Sequence, residues 1–463
     1  ALGGVALWAI AGVGFVNYDT LYGLAWGGQL SRGSMPAYEV PIAPTPHPLV
    51  EVLGVALAPL GAHGAIVATV ALAFLALAGC AWVIYALGAR WFGPLAGGLA
   101  ALIFITRVPV VSYGVRAYVD IPYLLLVLGG VLVEMRRPRA GAPVLALLAL
   151  AGLLRPEAWA FSGLYWLYLW FGRDRFDRDR SRGELMCLAL LAAAAPLMWV
   201  LSDLLITGEP LWSLTNTRHT ARILDRYTGI GNVPEYIPRR IGEILRPPVL
   251  VGAALGGVLA LVWLRERARP GAVVGAIAVV VFAAFATMGL PIDTRYAFLA
   301  SAILCVFCGV GVFGWTLLPR GDRRRRWWMA GGLLVLAGLI AYAPSQIGAL
   351  HGELGKLGRV QAIEDDLVAL VRSNAINLRC GPVGVPNHAP IPLLSLYLKT
   401  SPANVVSAQV HQIERGVYVD PASSEVEERY VLDPHDPHLP ASVPPGFRES
   451  ATNRSWLIFK RCE

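Results

Sequence analysis

Long apolar stretches separated by short polar connections run through most of the chain. Because a helix needs roughly 20 apolar residues to cross a bilayer, they predict about eleven transmembrane helices. The predicted spans are residues 1–17, 64–88, 93–110, 119–134, 143–154, 158–171, 185–206, 248–264, 271–289, 297–318 and 328–344. Two of them, 143–154 and 158–171, are short enough for one pair to be re-entrant. The apolar stretch 48–60 is too short to cross and is expected at the membrane interface.

The pattern changes after residue 344, where shorter and more polar elements follow. Helical spacing marks Ile363 to Val371 and Ile391 to Leu398. Short β-rich runs predict strands at 383–385, 405–410, 430–432 and 455–460. The Asp-, Pro- and His-rich segment 433–446 is predicted to be a loop. We therefore expect a transmembrane domain at 1–344 and a soluble α/β domain at 345–463.

Composition and charge support a polytopic α-helical membrane protein. Hydrophobic residues make up 56% and charged residues only 15% of the chain, whereas a soluble protein carries about 25% charged residues. Arginines concentrate in alternate connections, which predicts that those connections are cytoplasmic. The connections are 89–93, 135–142, 172–184 with its Arg173 to Arg182 run, 265–270 and 319–327.

This orientation places the soluble domain and the two longest polar loops, 18–48 and 207–246, on the extracytoplasmic side. The net charge of +8 then reflects membrane topology, and no nucleic-acid partner is predicted.

Two of the six cysteines, Cys380 and Cys462, bracket the predicted soluble domain. In an oxidising compartment this placement predicts a disulfide between them, and two separate thiols are the alternative. The remaining cysteines lie in or beside apolar spans, where small buried thiols are ordinary.

Two acidic residues stand at the predicted extracytoplasmic ends of spans. Asp19 follows the first span, where a carboxylate is costly unless it is solvated or functional. It is a candidate general base that takes a proton from an acceptor hydroxyl, and the alternative is a helix-end aspartate. Asp120 precedes Pro122 at the start of another span. It is either a helix cap or a residue that binds substrate or metal.

Further candidates lie near the same face. Glu39 and His47 occupy the first loop, where the Pro44 to Pro48 run is stiff because each proline fixes φ. A histidine held there is suited to contact phosphate or to orient a carboxylate, although a lone histidine is often structural. Arg155 and Glu157 flank Pro156 within an apolar region. They are either an ion pair facing a cavity or a hairpin turn.

Basic residues of the later connections are candidate phosphate ligands. Arg295, followed by Tyr296, begins a late span, and Arg218 and His219 lie in the 207–246 loop. Arginine binds phosphate in a bidentate manner, and ordinary surface charge is the alternative. No glycine-rich nucleotide motif and no His-Glu-x-x-His motif occurs in a suitable context. An enzyme on the extracytoplasmic face therefore needs an activated donor held in the membrane, and a polyprenyl-phosphate sugar fits that need.

The order and sidedness of these motifs resemble the GT-C superfamily of polytopic glycosyltransferases. The resemblance is to the protein O-mannosyltransferases, the aminoarabinose transferases and the actinobacterial mannosyl- and arabinosyltransferases, and it covers most of 1–344. The motifs that carry it are Asp19, Pro46 to Leu49, Asp120, Arg155 to Glu157, Gly208 to Ser213, and Arg295 with Tyr296.

The resemblance implies that Asp19 is the catalytic base. It also implies that Arg295, with basic residues of the second loop, holds the lipid phosphate. The expected reaction transfers a sugar, with inversion, from a polyprenyl-phosphate donor to a hydroxyl of a glycan, lipid or protein. Many relatives carry two adjacent acids in the first loop, whereas Thr20 follows Asp19 here. This departure weakens the case for a divalent metal, and none is predicted.

Two other classes of function are open on the sequence. A secondary transporter would use broken helices near the midplane, and the Arg155 break favours it, but no internal repeat is visible. A non-catalytic scaffold would bind wall polymers or a partner through the soluble domain.

Overall fold

The computed structural model describes residues 2–172, 180–432 and 440–463. The helices that precede the C-terminal sheet alternate with short turns. The first eight are α1 (Leu2–Ala11), α2 (Tyr18–Ser31), α3 (Pro48–Leu57), α4 (Gly61–Phe92), α5 (Pro94–Ile105), α6 (Val108–Val115), α7 (Asp120–Arg136) and α8 (Ala142–Gly152). The next seven are α9 (Glu157–Phe171), α10 (Arg182–Thr207), α11 (Trp212–Ile223), α12 (Val233–Trp263), α13 (Arg265–Thr287), α14 (Phe298–Phe313) and α15 (Arg323–Arg372).

The prediction of a polytopic helical membrane fold is confirmed. Within the described ranges, six helical stretches are long and apolar enough to cross a membrane, and the bent pair α5 and α6 makes a seventh if it forms one broken span. The six stretches are Pro48–Phe92, Arg182–Thr207, Ile230–Trp263, Arg265–Thr287, Thr294–Leu317 and Arg323–Arg372. Every predicted span contains a helix, but α1, α7, α8 and α9 are shorter than 18 residues and belong neither to these stretches nor to the bent pair.

Helix α14 forms the centre of the bundle, and 89% of the most apolar part of the stretch Thr294–Leu317 is buried. It packs against α5 and α12. Glycines allow this close approach, because a Cβ added at Gly309 would meet the carbonyl of Ala96, and one at Gly256 would lie 2.6 Å from Gly311 N. The bundle is therefore closely packed around α14, and Arg295 lies in the short turn that directly precedes this helix.

The first polar loop was predicted to start directly after the first span, but its first half is the helix α2. Asn17 caps this helix by accepting hydrogen bonds from the backbone N–H groups of Asp19 and Thr20. Helix α2 is buried from Thr20 to Gln29 because it packs between α3 and the C-terminal region. A Cβ at Gly27 would lie 2.7 Å from Gly54 Cα, so glycine sets the spacing between α2 and α3.

The second predicted loop, 207–246, is also largely helical. It contains α11 and the first half of α12, which kinks at Arg246, where φ is +64°. The kink precedes Pro247, and proline disfavours helical geometry in the residue before it. Both polar connections are thus folded elements that can position side chains.

The C-terminal region holds a five-stranded sheet in the order β2-β1-β3-β5-β4. Its strands are β1 (Val383–Val385), β2 (Val405–Ser407), β3 (Gly416–Pro421), β4 (Arg448–Thr452) and β5 (Trp456–Arg461). Strand β1 is parallel to β2 and β3, whereas β5 is antiparallel to β3 and β4. Helix α16 (Ile391–Leu398) crosses from β1 to β2, and the short helix α17 (Ser424–Val426) follows β3.

The predicted elements of this region are only partly confirmed. The strand at 383–385, the helix at 391–398 and the last strand are present, and β2 lies within the predicted 405–410. The strand predicted at 430–432 is wrong, since Glu427–Val431 forms a π-helix. Strands β3 and β4 were not predicted. Residues 433–439 of the predicted loop and 173–179 of the arginine run lie outside the described residues.

Two features tie the C-terminal region together. Cys380 and Cys462 form a disulfide with a Cα–Cα distance of 4.7 Å, which joins the segment before β1 to the end of β5. Helix α15 runs without a break from Arg323 to Arg372 and contacts both α14 and α16. The division at residue 344 therefore falls inside one helix, and the two-domain division remains a prediction.

Candidate functional site

Asp19 lies in the first turn of α2, held against the connection between α6 and α7. The Asn17 side-chain amide donates to the backbone carbonyls of Arg116 and Ala117, both at 3.1 Å. The Thr20 hydroxyl donates to the same Ala117 carbonyl at 3.0 Å. These bonds fix the start of α2, where the helix dipole also favours a negative charge.

Arg295 joins Asp19 to Asp293 in the accessible half of the site. Its Nη1 lies 3.1 Å from Asp19 Oδ2, and its Nε lies 3.3 Å from Asp293 Oδ2. The side chains of Asp19 and Arg295 remain 22% and 14% exposed. Burial alone would raise the pKa of Asp293, but Arg295 and then Arg226 hold this pKa below its ordinary value. Asp19 and Arg295 are therefore paired but still partly within reach of a ligand.

Arg155 forms the sealed half of the site with Asp120 and Glu157. Its Nη1 lies 2.7 Å from Asp120 Oδ1, and its Nε lies 3.6 Å from Glu157 Oε1. The Arg155 and Asp120 side chains are only 5% and 2% exposed. The break between α8 and α9 is thus a buried ion cluster. Its charges pair with one another, but Asp120 Oδ2 and Glu157 Oε2 have no hydrogen-bond partner among the described residues.

Tyr296 links the two halves. Its ring centre lies 4.5 Å from the guanidinium carbon of Arg155 and 5.6 Å from that of Arg295. Both distances are within the range of cation–π attraction. The sealed cluster therefore fixes Tyr296, and Tyr296 limits the movement of Arg295.

His47 lies next to this cluster at the start of α3. It is buried and packs edge-on against Trp199, with ring centroids 6.0 Å apart. Burial, and then the nearby Arg155, lower the pKa of His47 to about 3. Its Nδ1 has no hydrogen-bond partner among the described residues. His47 is therefore a neutral imidazole that is able to donate to or accept from a ligand.

The other predicted residues lie outside these two halves. Arg218 donates from Nε to the carbonyl of Met288 at 2.7 Å, in the connection that leads to Asp293. His219 is exposed on α11. Glu39 is exposed and lines a separate pocket together with residues of the C-terminal sheet.

Sequence reasoning did not select two residues that lie near the start of α2. Arg116 stacks on Tyr118, with its guanidinium carbon 4.8 Å from the ring centre. His388, in the segment after β1, lies edge-on against Tyr18 with ring centroids 5.5 Å apart. No local motif marks His388, because only the packing of α16 against α2 brings it there.

Across 2–172, 180–432 and 440–463, no group of three or more His, Cys, Asp or Glu side chains is placed to hold a metal. The site presents an accessible carboxylate beside an accessible guanidinium. That pair is able to accept a proton and to stabilise an anion.

Comparisons with known proteins give matches among solved structures. No family model matches the chain, and the curated proteins contain no significant match. The crystal structure of ArnT from Cupriavidus metallidurans bound to undecaprenyl phosphate has a TM-score of 0.60 at 14% identity, covering 98% of this chain and 96% of ArnT. The archaeal oligosaccharyltransferase AglB from Archaeoglobus fulgidus, in complex with an inhibitory peptide and a dolichol-phosphate, has a TM-score of 0.50 at 12% identity, covering 90% of this chain and 66% of AglB. At these identities the likeness shows a shared fold.

Proposed function

We propose that this chain, which has the GT-C fold of the two matched proteins, is an inverting glycosyltransferase. It moves a sugar from a polyprenyl-phosphate donor to an acceptor hydroxyl on the extracytoplasmic face of the membrane. The observation that carries the proposal is the accessible Asp19–Arg295 pair at the ends of α2 and α14.

The donor class is supported by the ligands of the matched structures. ArnT was solved with undecaprenyl phosphate and AglB with a dolichol-phosphate, and both ligands are polyprenyl phosphates. In this chain, Arg295 is a partly accessible guanidinium paired with the proposed base, and its planar fork suits two phosphate oxygens.

The proposed step is a single displacement. Asp19 accepts the proton of the acceptor hydroxyl while the hydroxyl oxygen attacks C1 of the sugar from the face opposite the phosphate. The C1–O bond to phosphate breaks, and its electron pair leaves with the polyprenyl phosphate. Positive charge builds on the sugar ring, as in glycoside hydrolysis, and Arg295 stabilises the negative charge of the leaving group.

Asp19 and Arg295 are paired before substrate binds, so the reaction requires an exchange of partners. In the free protein, Arg295 Nη1 donates a hydrogen bond to Asp19. When the sugar donor binds, its phosphate accepts this hydrogen bond in place of Asp19. Asp19 is then free to bind the acceptor hydroxyl, while Asp293 continues to hold Nε. The buried cluster around Arg155 positions Tyr296 and thereby Arg295.

The membrane orientation rests on the arginine distribution. The arginine-rich connections predict that the opposite end of the bundle, which carries Asp19, faces outward. A disulfide in the C-terminal region fits an oxidising compartment on that side. A thiol reagent that does not cross membranes should therefore label a cysteine placed at exposed Glu209 in intact cells, but not one placed at exposed Arg324.

The transporter alternative has less support. A transporter site is expected near the midplane of the bilayer. The charged residues here begin α2, α7 and α9 or directly precede α14, so they gather at helix ends.

The substitution Asp19→Asn tests the proposal. Asparagine keeps the size of the side chain, and Asp293 still pairs with Arg295, so the variant should fold. Transfer of labelled sugar from a polyprenyl-phosphate donor should fall about 10²- to 10⁴-fold because the base is lost. Asp293→Asn is the matched control, since it removes the other carboxylate on Arg295 and should retain far more activity. Equal transfer by Asp19→Asn and wild type would sink the assignment.

A further inference from the structure

A second pocket lies between the membrane part and the C-terminal sheet, and the proposed reaction does not use it. Its volume is about 460 Å³, within the range of small-molecule sites. It is enclosed by residues 36–41 of the α2–α3 connection, by Ile206 and Thr207 at the end of α10, and by residues 403–411 around β2.

The pocket lies against the edge strand of the C-terminal sheet. Strand β2 is outermost in the order β2-β1-β3-β5-β4, and its three residues Val405, Val406 and Ser407 all line the pocket. Ile391, the first residue of α16, lines it as well.

The wall supplied by the membrane part is fixed in place. The Tyr38 hydroxyl donates to Glu51 at 2.7 Å, and the Tyr38 ring packs on Trp26 with centroids 4.8 Å apart. The opposite wall is fixed by the contact between α16 and α2. The cavity is therefore preformed.

The lining favours an uncharged polar ligand. None of the described residues that line the pocket is lysine or arginine, so a phosphate or an acidic polymer finds no counter-charge. Glu39, Thr207 and His411 offer hydrogen-bonding side chains, beside prolines and valines that suit the apolar faces of a sugar ring.

The position relative to Asp19 indicates how such a ligand is used. Trp26, which contacts Tyr38, lies seven residues after Asp19 on α2, so the two positions are roughly 10 Å apart along the helix. A carbohydrate that occupies the pocket and also reaches Asp19 must contain more than one sugar ring.

We propose that this pocket binds the non-reacting end of a neutral oligosaccharide acceptor and directs its terminal hydroxyl to Asp19. The use of the bound sugar as an acceptor rests on the proposed glycosyltransferase function, whereas the binding itself does not. Binding energy from this remote part of the substrate would orient the reacting end.

Saturation-transfer NMR on the purified full chain tests the binding. The probes are neutral linear gluco-, galacto-, manno- and arabinotetrasaccharides, with a sulfated tetrasaccharide and an uncharged tetrapeptide for comparison. At least one neutral tetrasaccharide should bind. Val410→Trp, which narrows the pocket from its exposed rim, should weaken this binding at least about tenfold. Gln412→Trp is the matched control, because Gln412 is also exposed but does not line the pocket.

Each outcome decides the inference. It is overturned if no neutral tetrasaccharide binds, if the sulfated sugar or the peptide binds better, or if Val410→Trp binds as wild type does. A protein that binds a neutral tetrasaccharide but transfers no sugar from any polyprenyl donor would refute the proposed function and leave the carbohydrate pocket standing. If Val410→Trp transferred sugar normally with an unchanged acceptor KM, the carbohydrate pocket would be refuted and the proposed function would stand.

Discussion

Replacing Asp120 by asparagine tests how the sealed half of the site contributes to stability. The substitution keeps the size of the side chain but removes the charge that lies 2.7 Å from Arg155. Removing one partner of a buried ion pair costs about 3–5 kcal/mol, because the other charge stays buried and uncompensated. Glu157 remains 3.6 Å from Arg155 and still opposes its charge. We therefore expect a loss at the lower end of that range, about 3 kcal/mol.

The assay is unfolding of the purified chain in mixed micelles by increasing mole fractions of SDS, followed by tryptophan fluorescence. Glu266→Gln is the matched control, since it breaks an ion pair of nearly equal length, 2.8 Å to Arg269, whose members are 80% and 52% exposed. An exposed pair contributes about 0–1 kcal/mol. If the two variants lose the same stability, water reaches Arg155, and the division into sealed and accessible halves fails.

Three further predictions concern packing, covalent linkage and pH. Gly27→Ala forces a methyl group into the α2–α3 contact and should destabilise the chain by about 1–3 kcal/mol, whereas Gly338→Ala, which meets open space, should not; both are measured by SDS unfolding. Cys380→Ser opens a disulfide that spans 82 residues and should cost about 2–5 kcal/mol, seen as earlier proteolysis of the C-terminal region. Burial and a nearby glutamate raise the pKa of Asp420 to about 6, so the folded state binds a proton more tightly than the unfolded state. Stability should fall as pH rises from about 4 to 6, and Asp420→Asn should flatten this dependence in thermal unfolding; a parallel pH profile would contradict it.

The helical bundle was predictable because length and apolar content decide whether a segment crosses a membrane. Helix α2 was not, because it is rich in glycine and aromatic residues and its stability comes from packing between α3 and α16. Strand β4, with the polar sequence Arg448–Thr452, shows no alternation and forms only because β5 supplies its hydrogen bonds. In both elements, tertiary contacts outweigh the local pattern.

The residues of the candidate site were predictable from the sequence, whereas their arrangement in space was not. Asp19 and Arg295 were selected because they stand at span ends, and the fold pairs them across 276 residues of sequence. Asp120 and Arg155 were selected for the same reason, but the sequence does not reveal that they are sealed from solvent. Their burial depends on how α7, α8 and α9 pack against one another, and the residues near Asp120 or Arg155 in the sequence do not reveal that packing.

The charge balance of the accessible half imposes an order of binding on the proposed reaction. Arg295 faces two carboxylates, Asp19 and Asp293, so the three groups together carry a net negative charge. A donor phosphate adds further negative charge and competes directly with Asp19 for Arg295. Arg226, whose charge already acts on Asp293, compensates part of this repulsion. Asp19 is released to accept a proton only after the phosphate has taken its place on Arg295, so under the proposed function the donor binds before the acceptor is deprotonated. Arg295→Lys keeps the positive charge but loses the planar fork that contacts both carboxylates. The replacement of Asp19 by the donor phosphate would then be less specific in geometry.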